Sequence, residues 1–74
     1  MTIDDQRSLR LATWQISEAF VKRAAGDLDG EDYHILAARE TLFPIAPDRV
    51  KRARSADDLA GICADIKDAA GLLF

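Results

Sequence analysis

The stretch Leu9 to Ala25, LRLATWQISEAFVKRAA, carries two apolar stripes on what reads as one helix, and this constrains the chain more than any other feature. Leu9, Ala12, Ile16, Ala19 and Phe20 recur at the i, i+3, i+4, i+7 spacing that lines one side of a helix. Leu11, Trp14, Val21 and Ala25 form a second set, interrupted by Glu18. At 100° per residue the two sets point to nearly opposite sides. A small bundle covers one such side readily and the other with difficulty. The Leu9 side is therefore expected in the core. The Leu11/Trp14/Val21 side is expected at an interface, unless the C-terminal Leu72-Leu73-Phe74 or the Pro44–Pro47 segment folds across it.

The rest of the chain supports an all-α fold. Ala is abundant, β-branched residues are scarce, and no long run alternates apolar with polar residues. Helices are expected at about 3–25, 30–43 and 56–70, with a short one at about 47–54, forming a small antiparallel bundle. Thr2 and Ser55 each stand three residues before an Asp, a weak form of the capping box, and Asp29 is placed to cap the second helix. Leu28 and Tyr33 then sit at the positions of a hydrophobic staple. Gly26 and Gly71 are natural helix stops. Pro44 ends the second helix, and Pro47 suits the first turn of the short one. In the second helix Ile35, Ala38 and Leu42 form one stripe, which Leu36 and Phe43 extend. In the short helix Val50 and Ala53 are expected to face inward. Leu59, Ile62, Cys63, Ile66, Ala69, Ala70 and Leu73 share one face of the last helix, with Asp57, Asp58, Asp65 and Asp68 turned away.

Seventy-four residues suffice for one domain, 1–74, and leave no room for a second core. A single cysteine, Cys63, excludes an internal disulfide. The N-terminal MTIDDQRSLR has no apolar signal-peptide segment, and no apolar run approaches a membrane span, so the expected location is the cytoplasm. In a domain this small, burial and chain entropy nearly cancel. Oligomerisation is one way to gain margin.

Charge is distributed unevenly around a net of −3. Residues 49–54, Arg49-Val50-Lys51-Arg52-Ala53-Arg54, hold four cations in six positions, while 27–48 and 55–74 are acidic. The acidic balance weighs against generic binding to nucleic acid or anionic membrane. The basic island supports nucleic-acid binding as an alternative, through Arg49, Lys51, Arg52 and Arg54, but it is short, has no interleaved aromatic residue and is flanked by acid. It equally suits an acidic protein partner. The plainer reading is charge matching, between these cations and the carboxylates of the second helix.

Catalytic constellations are missing. The acidic loop Asp27-Leu28-Asp29-Gly30 has the D-x-D-G core of an EF-hand, yet that register puts Ala25 and Leu36 where calcium needs oxygen ligands. His34 has no His or Cys one turn away to share a metal. Cys63 lies within an apolar helical face, and the four glycines are scattered. No metal, cofactor or small-molecule substrate is expected, and the chain reads as a non-enzyme. The function expected is a protein–protein interaction module, an adaptor or regulator. It self-associates as a homodimer through Leu11, Trp14, Glu18, Val21 and Ala25, with Glu18 near the rim of the contact. An accessory subunit of an enzyme is a third reading.

Overall fold

The computed structural model describes residues 1–72 and is all-α. Its helices are α1 (Ile3–Ala24), α2 (Leu28–Leu42), α3 (Pro47–Arg52) and α4 (Ala56–Ala70). Expectations placed on Leu73 and Phe74 lie outside the described residues.

Caps set the helix limits. The Asp5 amide donates to Thr2 Oγ1 at 3.0 Å, and the Asp58 amide to Ser55 Oγ at 3.2 Å, as the sequence implies. Asp58 departs from an ordinary capping box, because its carboxylate accepts from the Arg54 amide at 2.8 Å, one residue before the cap. Helices α1 and α4 both end in a left-handed glycine, Gly26 at φ 77° and Gly71 at φ 70°. Each is followed by the paired bonds of a Schellman turn: Asp27 N to Lys22 O with Gly26 N to Arg23 O, and Leu72 N to Lys67 O with Gly71 N to Asp68 O.

Helix α2 starts earlier than the sequence suggests. Asp27, not Asp29, is its cap: the chain leaves Gly26 so that Asp27 Oδ1 reaches the Gly30 amide at 2.9 Å. Leu28 thereby becomes the first helical residue. It is 65% exposed and Tyr33 70%, so the staple is not formed. Helix α3 is shorter than expected and ends at Arg52, with Ala53 as its extended cap.

The core is one cluster drawn from all four segments. It comprises Leu9, Ala12, Ile16 and Ala19 of α1; Ala38 and Leu42 of α2; Val50 and Ala53; and Ala56, Leu59, Ile62 and Cys63 of α4. Phe20, Ile35, Ile66 and Leu72 pack at its edge. Helices α1 and α2 form a closely packed hairpin along a seam in which Ala12, Ala19 and Ala38 have no exposure at all. Small side chains let the two backbones approach. Helix α4 rests mainly on α1 and touches α2 sparingly.

That arrangement corrects the sequence reading in two places. Leu36 and Phe43, expected to extend the inner stripe of α2, are 56% and 44% exposed, because α4 does not reach around to their side. Ala69 and Ala70 at the end of α4 are also exposed.

Polar links tie the helices together at the surface. The Arg23 guanidinium lies 4.9 Å over the Phe20 ring, 3.6 Å from Glu31 and 3.5 Å from Asp57, so it joins α1, α2 and α4. Arg39 of α2 donates through Nη1 to the Ala53 carbonyl and fixes the end of α3. The Arg23–Asp57 pair is exposed and adds little stability by itself, but together with the more shielded Glu31 contact it restricts how the helices sit.

Candidate functional site

Leu11, Trp14, Glu18, Val21 and Ala25 follow one another at three- and four-residue steps and line one side of α1. At 1.5 Å per residue this line is about 21 Å long. Leu11 is 48% exposed, and Trp14 and Val21 are both 57% exposed. Ala25 is exposed and Glu18 half-buried. Neither the Pro44–Pro47 segment nor Leu72 shields Trp14 from solvent, and Leu72 packs against the core instead. The two stripes of α1 thus divide as their spacing implies: Leu9, Ala12, Ile16 and Ala19 are buried with Phe20 at the core's edge, and the other stripe is open.

The structure adds two residues that sequence reasoning did not connect to this surface. The His34 ring stands nearly perpendicular to Trp14, with centroids 6.2 Å apart, and to Tyr33, at 5.2 Å. Edge-to-face contacts of this kind hold aromatic groups in fixed relative orientation. His34 is itself held, because its Nδ1 donates to the Gly30 carbonyl at 2.8 Å. A carbonyl only accepts, so Nδ1 carries the proton of this bond. Trp14, His34 and Tyr33 form a continuous aromatic strip across the outer edge of the α1–α2 hairpin. Only the register of that hairpin brings them together, and the separate periodicities of α1 and α2 do not contain it.

The basic residues lie elsewhere. Arg49 Nη2 is 2.8 Å from Asp65 Oδ2, so the charge matching expected with α2 is made with α4 instead. Arg49 and Arg52 border a shallow hollow of about 220 Å³ with Ala53, Asp58 and Ile62, in which an acid already stands among the cations. Lys51, Arg52 and Arg54 make no side-chain ion pair among the described residues.

Cys63 is buried in the α1–α4 contact, beneath a groove of about 160 Å³ whose walls include Thr13, Phe20 and Lys67. Burial pushes its thiol above the ordinary value, and the Thr13 hydroxyl and the Lys67 charge only partly offset this. The Thr13 hydroxyl proton is already given to the Leu9 carbonyl at 2.8 Å and has little to offer a thiolate. The neutral thiol is therefore favoured in the fold. Because the unfolded chain ionises first, this contribution to stability is fully present below about pH 8.5 and is lost as pH rises towards the raised value. Alkylation of native protein by iodoacetamide at pH 8 is expected to run far slower than that of a urea-unfolded sample. Equal rates would place Cys63 outside the core.

In comparisons with known proteins, no family model, no curated protein and no solved structure matches the chain. Among the described residues no helix is long and apolar enough to cross a membrane.

Proposed function

We propose that this chain is a small non-catalytic interaction module that self-associates through the outer face of α1. The observation that carries the reading is Trp14, 57% exposed in the middle of an apolar line and braced by His34. An exposed, pre-oriented aromatic residue flanked by aliphatic side chains is the usual material of an interface hot spot. A pre-oriented ring also loses little rotamer freedom on contact.

A second copy is the simplest partner. A two-fold contact sets the same line on both chains face to face, so Leu11, Trp14 and Val21 of one copy cover those of the other. Glu18 stands within that line, so the contact requires a cation such as Lys22 of the second copy to pair with it. The acidic balance of the molecule and the pairing of Arg49 with Asp65 favour this role over nucleic-acid binding.

Sedimentation equilibrium across a wide concentration range tests the proposal. Wild-type protein is expected to assemble into dimers as concentration rises, with the Trp14 emission shifting to the blue. Trp14→Glu is expected to remain monomeric throughout, with helicity by circular dichroism unchanged because the side chain lies outside the core. A wild type that stays strictly monomeric overturns the homodimer.

A further inference from the structure

The open line of α1 begins one turn before Leu11, at Arg7. Arg7, Leu11, Trp14 and Glu18 follow at steps of four, three and four residues. The set reads the same spacing from either end, with a cation at one end, an anion at the other and two apolar groups between. The charges stand about 16 Å apart along the helix. Arg7 is exposed and Glu18 half-buried, and neither forms an ion pair among the described residues. We propose that two copies pair α1 against α1 in antiparallel, with Arg7 of each chain bridging to Glu18 of the other, a register that rests on self-association through this face.

Symmetry makes such a line complementary to itself. A two-fold axis between Ala12 and Thr13 sets each residue against the one equally far beyond the axis on the second chain. Leu11 then meets Trp14 of the other copy, and Arg7 meets Glu18, each contact made twice. Val21 comes beside Ile3 of the other copy, which is 69% exposed. The two apolar contacts are thus closed at both ends by opposite charges. A carboxylate set in an apolar contact is costly unless paired, so its partner fixes the register.

Other registers lack this match. Steps of four and three alternate along Arg7, Leu11, Trp14, Glu18, Val21 and Ala25, so antiparallel copies interleave only at shifts of one heptad. The next shift sets Glu18 against Trp14 of the other chain, and the one after sets it against Val21. Neither offers a cation. A parallel pair sets Arg7 on Arg7 and Glu18 on Glu18, like charge on like. Pairing Glu18 with Lys22 needs the axis at position 20, which puts Trp14 opposite Gly26, beyond the end of α1.

Charge reversal read by sedimentation equilibrium tests the register. Arg7→Glu and Glu18→Arg are each expected to weaken dimerisation at least about tenfold, and the double reversal in one chain to return it to within about threefold of wild type. Glu18→Arg is the sharper variant, because it moves the net charge of −3 towards zero, and general repulsion alone would then favour the dimer. Lys22→Glu is expected to dimerise within about threefold of wild type. Both reversed positions lie outside the core, so circular dichroism should show the variants folded. A wild-type dimer that tolerates both single reversals overturns the register and leaves self-association standing. So does a dimer weakened by Lys22→Glu and not by Arg7→Glu, or a double reversal no better than the singles. A wild type that stays monomeric overturns self-association and the register together.

Discussion

Leu59→Ala is expected to lower unfolding stability by about 2–5 kcal/mol. Leu59 has no exposure and is among the largest fully buried side chains, with Leu9, Leu42 and Val50. Truncation removes its transfer free energy and leaves a cavity that neighbours close only in part. At roughly 0.05–0.15 kcal/mol per residue, a chain of this length holds about 4–11 kcal/mol in all. One such change therefore removes a large share of the total and leaves the variant close to half-unfolded at the lower limit. Urea denaturation followed by circular dichroism should show a lower midpoint with an unchanged slope. A loss below about 1 kcal/mol would mean that α4 is not seated in the core as described.

The second large effect is expected from adding bulk. Ala38→Leu is expected to destabilise by about 1–3 kcal/mol, although it makes the side chain more apolar. Ala12, Ala19 and Ala38 have no exposure, and this closeness lets α1 and α2 run side by side. A leucine at 38 has no free volume to enter and must push the helices apart or adopt a poor rotamer. Ala and Leu differ little in helix propensity, so the change reports packing rather than backbone preference. Ala69→Leu, at an exposed position on α4, is the control and should stay within about 0.5 kcal/mol of wild type. Equal stability of Ala38→Leu and wild type would show that the seam is loose.

Local signals in the sequence were reliable where the physics is local. Thr2, Ser55, Gly26, Gly71, Pro44 and Pro47 mark helix ends through side-chain hydrogen bonds, positive φ or a missing amide, and each acts within a few residues. The inner stripe of α1 was legible for a related reason, since Leu9, Ala12, Ile16 and Ala19 are spaced for one side whatever covers them. The errors arise where the outcome depends on another element. Asp27 and Asp29 are equally good caps by residue type, and the turn geometry after Gly26 decides between them. Leu36 and Phe43 are apolar enough for a core, yet α4 sits against α1 and leaves them uncovered. For the candidate site, the open line on α1 was readable from periodicity alone. The contribution of Tyr33 and His34 required the register of the hairpin, which no single helix carries.

The hairpin of α1 and α2 also bears on how fast the chain reaches its fold. Its two helices meet across a link of only Ala25, Gly26 and Asp27, so most packing joins segments that are neighbours in sequence. Closing a loop this short costs little entropy, and chains rich in local contacts fold within microseconds to milliseconds. The hairpin is expected to form first and to present the Leu9/Ile16 side as a ready surface for α4, so Leu59→Ala should mainly speed unfolding and Ala38→Leu should mainly slow folding in stopped-flow measurements.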